Sequence, residues 1–188
     1  RDMMIAAETL LESLAHPALA LPHPQGTEEA AQNILRILAQ PEREGGATYS
    51  LYFGDQLGEP FFAVSLDNRL TQRFSDPADL TDAVTSFLQL HRDLLLHPRC
   101  SVGIWTGIDP DGARMLFLDV TVLVYNETAA RAFGARGNQI AIFDLDRRIE
   151  IDTGGTGLPV PGMPPPAERL QQLHAEDGVE SAEGVDHD

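Results

Sequence analysis

The stretch SVGIWTGIDPDGARMLFLDVTVLVYNETAARAFGARGNQIAIFDLDRRIEID, residues 101–152, decides the fold. Val102, Ile104 and Thr106 alternate with Gly103, Trp105 and Gly107, which is the two-residue period of a strand. Asp109-Pro110-Asp111-Gly112 then reads as a turn, with proline preset for its second position and glycine free to take positive φ. In the return strand Leu116, Leu118, Val120, Val122 and Val124 share one face, and an all-aliphatic face must be buried. The opposite face, Phe117, Asp119, Thr121, Leu123 and Tyr125, is mixed, which implies cover by helices or a pocket. Asn126 is placed to cap a short helix with Ala129, Ala130 and Phe133 turned inward, ending at Gly134 and Gly137. Residues 139–145 return as a strand and residues 148–152 pair behind it. Hairpin, helix and strand in this order predict an α+β fold with a mainly antiparallel sheet covered by helices.

Working outward, residues 3–15 place Met4, Ala7, Leu10, Leu11 and Leu14 at helical spacing. After Pro17, Pro22 and Pro24 a second helix starts at Thr27, with acids in its first turn and Ala31, Ile34, Leu35 and Leu38 as its stripe; it stops near Pro41. These two helices, within residues 3–40, either pad the sheet or form an arm that docks on a partner. Past Gly45-Gly46 the period changes to two over residues 48–53 and 61–66, read as a hairpin closed around residues 54–59. A third short strand is expected over residues 70–74. Asp76-Pro77 opens a helix expected to run to about residue 95, with Leu80, Val84, Phe87, Leu88, His91, Leu94 and Leu95 on one stripe.

Downstream, TGGTGLPVPGMPPP carries too much glycine and proline for a regular element. One domain is therefore expected over residues 1–152. Residues 153–188 read as a Pro/Gly-rich extension, part linker and part disordered acidic tail, in which Leu170 and Leu173 are able to dock a turn or two of helix.

The chain of 188 residues carries 29 acidic and 13 basic residues, all of the latter arginine, for a net charge of −16. That balance opposes nonspecific binding to nucleic acid and favours basic protein partners or cations. No run approaches the roughly 18 apolar residues of a membrane span. The single cysteine, Cys100, forms no internal disulfide and leans toward a reducing compartment.

Motifs that carry chemistry are sparse. Thr153-Gly154-Gly155-Thr156-Gly157 lacks the lysine and the following helix that a phosphate loop requires. Asp109, Asp111 and Gly112 fail the calcium-loop spacing and fit a hairpin turn. Asp144, Asp146, Glu150 and Asp152 share strand parity, and an exposed acidic face outweighs a cation site. His91 and His97 do not share a helix face, and His91, on the apolar stripe, reads as a core or boundary histidine. Cys100 reads as a small buried residue. No metal ligand set, catalytic residue or cofactor is assigned. The candidate ligand-binding corner is where the mixed face of the long strand meets residues 126–139: Trp105, Asp119, Arg136, Asn138 and Gln139.

The pattern SVGIW, an Asp-Gly turn, LDVTVLV, GNQIAIFDL and IDTGG resembles uncharacterised proteins of phages and other bacterial mobile elements over residues 101–157. The resemblance implies a mobile-element or virion-associated context and supplies no catalytic residue. The expected function is a non-enzymatic protein–protein interaction component, such as a phage structural or accessory protein, cytoplasmic or virion-associated. It would work with a protein partner or as a homo-oligomer, without nucleic acid or membrane. The alternative is a metal-dependent hydrolase whose carboxylate site is built on Asp119 and Asp144.

Overall fold

The computed structural model describes residues 21–75, 80–108 and 111–178. The elements are α1 (Thr27–Leu38), β1 (Ala47–Ser50), β2 (Gly54–Asp55), β3 (Phe62–Ser65), β4 (Gln72–Ser75), α2 (Leu80–Leu90), α3 (Arg92–Leu95), β5 (Cys100–Ile108), β6 (Arg114–Val124), α4 (Glu127–Arg136), β7 (Ala141–Asp144), β8 (Ile149–Asp152) and α5 (Pro166–Glu176). The fold is α+β. All described strands join one eight-stranded sheet in the order β2-β1-β5-β6-β3-β7-β8, with β4 also paired to β6. Every pairing is antiparallel. The amphipathic helix expected over residues 3–15, the cap at Asp76-Pro77, the first half of the Asp109–Gly112 turn and the end of the acidic tail lie outside the described residues.

The hairpin read from the sequence organises the molecule. β5 and β6 pair from Cys100↔Val122 to Ile108↔Arg114, and the even-numbered face of β6 is buried from Leu116 to Val124. Leu116, Leu118, Val120, Val122 and Val124 meet Ile34 of α1, Phe87 of α2, Phe133 of α4 and Leu173 of α5 in one core. Each buried side chain of this kind contributes roughly 1.5–3 kcal/mol, so this layer dominates stability. The opposite face holds a smaller cluster of Phe61, Ala63, Leu123 and Leu145, backed by Phe53 and Phe143. Described helices contribute only to the first cluster, so they form a single layer on one side of the sheet.

The expected hairpin between residues 48–53 and 61–66 is not formed. β1 pairs with β2 and β5, whereas β3 inserts between β6 and β7. The residues of β3 explain the choice: Val64 faces the main core and Ala63 the second cluster. A strand apolar on both faces belongs inside a sheet. The helix expected to continue to residue 95 breaks at His91, whose ring packs on Phe87 at 4.6 Å. The four acids read as one face are divided by the turn after β7, where Arg148 takes a left-handed conformation. Asp144 pairs with Phe62 and faces the helices; Glu150 lies opposite Phe143 and faces away.

Leu170 and Leu173 of α5 are buried in the main core, whereas residues 153–165 run along the surface, exposed or half-buried. Asp177 follows α5 and is fixed by three donors: Arg99 at 2.7 Å, Tyr125 N at 3.0 Å and Asn126 N at 2.7 Å.

Candidate functional site

Between β3 and β4 the chain leaves the sheet through residues 66–71, a 3₁₀ turn over Asn68–Leu70 capped by Asp67. Both of these strands pair with β6, at 121–124 and at 115–118, so the excursion opens beside Asp119. Ser65 Oγ and Thr71 Oγ1, from its two ends, donate to Asp119 Oδ1 at 2.8 and 3.3 Å. Asp119 is 8% exposed. Burial pushes its carboxyl up to about 7, against the lowering effect of the Ser65 and Thr71 hydrogen bonds. The charge of Asp67 adds to the rise. Asp67 itself is also pushed up by burial, but the Arg69 guanidinium and backbone N–H outweigh this and hold it below the usual carboxylate range.

Trp105 stands on the same sheet face, two residues along β5 from Gly103, the partner of Asp119. Its indole stacks on Phe117 with centroids 3.8 Å apart and planes inclined by 7°. Glycines flank it in strand parity. A side chain at Gly107 would come within 3.3 Å of both rings, and one at Gly103 would collide with Thr121 Oγ1. The flat stack therefore depends on bare backbone at Gly107.

The remaining candidates lie in a different environment. Gln139 Nε2 donates to Asn68 Oδ1 at 2.8 Å, and Asn68 Nδ2 donates to the carbonyls of Gly137 and Leu158 at 2.9 and 3.1 Å. Asn138, at φ 56°, accepts from Thr156 N at 3.0 Å and donates to Thr156 Oγ1 at 2.6 Å. Gly155 N donates to the Gln139 carbonyl at 3.0 Å, and a Cβ at Gly155 would collide with that oxygen. Arg169 of α5 donates to the Leu66 and Phe133 carbonyls and lies over the Phe133 ring at 4.0 Å. Arg136 forms an exposed ion pair with Glu176 at 2.5 Å. These groups fasten the Gly/Pro segment to the sheet. Polar groups satisfied in this way contribute to position more than to ligand binding.

The structure thus brings Trp105 and Asp119 onto one sheet face and Asn138 and Gln139 into a clamp, joined through residues 66–71. Arg136 stands apart on α4. Ser65, Asn68, Thr71 and Arg169 had no signal in the sequence beyond their polarity, because their roles depend on segments up to 103 residues away. Asp119 and Asp144 face opposite sides of the sheet. Among the described residues no group of three His, Cys, Asp or Glu side chains is placed to hold a metal ion. Among the described residues an open cavity of about 360 Å³ lies at the hairpin end against Thr106, Gly107, Ile108, Gly112 and Arg114. No described helix is long and apolar enough to cross a membrane. Cys100 is buried and its thiol is pushed up to about 12 by that burial, which leaves it a poor nucleophile. No protein-family model, curated protein or solved structure matches the chain.

Proposed function

We propose that the chain is a non-enzymatic protein–protein interaction component that meets its partner through the outer half of the β5–β6 hairpin. The observation that carries this reading is the exposure of large apolar side chains on β5: Trp105 is 45% exposed and Ile108 78%. Exposed aromatic and aliphatic groups on a well-paired strand are anchors that a partner can desolvate. A phage or mobile-element setting is part of the proposal and rests on the sequence pattern of residues 101–157. A metal-dependent hydrolase is disfavoured because its two carboxylates do not share a face.

A photo-cross-linking residue placed at Ile108, with a control at exposed Gln32 on α1, tests the reading in cells that express the protein. One dominant adduct, with a partner or a second copy, is expected at 108 and not at 32. Equal adducts at both positions, or none at either, would overturn it. Divalent cations should leave the melting temperature unchanged in a thermal-shift titration.

A further inference from the structure

We propose that the free edge of β8 is a docking site for an extended segment of a partner protein in which basic and apolar residues alternate, added to the sheet as a further strand. The proposal goes beyond the hairpin reading above and does not depend on it, because β8 ends the sheet four positions from β5.

β8 pairs on one side only, with β7. Thr153 N donates to the Ile140 carbonyl at 3.0 Å, directly beyond the pair Ala141↔Asp152. Hydrogen-bonded pairs alternate along an antiparallel ladder, so Ile149 and Ile151 also turn their backbone groups to β7. Glu150 and Asp152 must then turn N–H and C=O outward, and neither has a backbone partner on that side among the described residues. Ile149, Glu150 and Asp152 are all exposed, so the edge is open.

The side chains decide what fits it. Glu150 lies opposite Phe143, on the face away from the main core, and Asp152 shares its parity. Asp152 Oδ1 accepts from Gly154 N at 2.7 Å, which holds the carboxylate at the end of the strand. Ile151 turns the other way into the main core, and Ile149 on that side is 43% exposed. An incoming strand therefore meets two carboxylates on one face and an uncovered isoleucine on the other. Opposite charges across a strand pair stabilise it and like charges destabilise it.

A second copy of the chain does not fit the same edge. Within β8 the outward backbone groups are those of Glu150 and Asp152, so an antiparallel pairing of two β8 strands through them sets carboxylate against carboxylate. Arg148, which would offset them, sits in the turn at φ 59°, outside the strand. Charged edges of this kind exclude like strands and admit a basic one. The net charge of −16 adds to that selection.

A short fluorescent peptide alternating arginine with valine, titrated into the full chain and followed by anisotropy, tests the proposal. Arginines set opposite Glu150 and Asp152 are the residues whose N–H groups face β8. One control is therefore the same peptide N-methylated at its arginines, and another is an isomer with the arginines contiguous. Saturable binding is expected, weakened at least about tenfold by the N-methylation and by the paired substitutions Glu150→Lys and Asp152→Lys. Amide exchange at Glu150 and Asp152 should slow when the peptide is bound. No saturable binding, equal affinity for either control peptide, unchanged affinity in the folded variant, or protection at neither amide would overturn the proposal. Should the variant fail to fold by circular dichroism, the N-methylated peptide and the exchange on the wild-type chain decide it.

Discussion

At the scale of single residues, Asp119 is the group whose environment departs furthest from that of a surface carboxylate. A carboxyl held near 7 in the fold and near 3.8 when unfolded binds a proton in the native state across that interval. Stability must therefore fall as pH rises from about 4 to about 7 and stay level above it, because the unfolded state gives up its proton first. His97 acts in the opposite sense. Burial lowers its pKa to about 4, so the unfolded state holds more protons below about 6.5 and stability rises with pH there. The two slopes oppose each other in the wild type and are separated by substitution. Asp119→Asn should gain stability relative to the wild type progressively between pH 4 and 7, by on the order of a few kcal/mol at pH 8. Urea titrations across pH measure it; a constant difference between the two proteins would show that Asp119 does not titrate in that interval. Arg99 and Asp177 make a second residue-scale case. Their side chains are each 1% exposed. Asp177→Ala should cost about 3–5 kcal/mol because it leaves a buried guanidinium without its counter-charge. A loss below about 1 kcal/mol in chemical denaturation would mean that water replaces the carboxylate.

At the scale of elements, the segment from residue 153 to α5 shows how glycine and proline can specify a path. Gly155 lies so close to the Gln139 carbonyl that no side chain fits, and Asn138, Gln139 and Asn68 close around the segment. Gly155→Ala should displace the segment and loosen α5, seen as faster amide exchange at residues 166–176 and a stability loss of about 2 kcal/mol or more. Unchanged exchange in α5 would show that the helix docks independently of the clamp. The sequence exposed only part of this. Leu170 and Leu173 announced an apolar stripe, whereas the buried Arg169 did not, since an arginine beside two leucines ordinarily faces water. It is held inside by two carbonyls and an aromatic ring, contributed by segments distant in sequence.

At the scale of the whole molecule, helices cover one sheet face while Trp105 and its stacked neighbour mark the other. The net charge of −16 stands after every arginine is counted, and several of the ion pairs are solvent-exposed and contribute little. Self-repulsion should dominate the response to salt, so the melting temperature should rise between low and moderate ionic strength. A falling melting temperature in a salt series would place the ion pairs ahead of the repulsion.

The sequence by itself determined the β5–β6 hairpin, the aliphatic face of β6, the Asn126 cap on α4 and the antiparallel α+β class. Each follows from interactions between residues close in the chain: strand alternation, turn geometry and a side chain bonded three residues on. Only the tertiary structure decided that β3 sits between β6 and β7, that the excursion at residues 66–71 opens beside Asp119, and that Asn138 and Gln139 hold the Gly/Pro segment. These depend on which strands find each other across long loops. Local periodicity shows which face of a strand is apolar and does not show which partner will cover it.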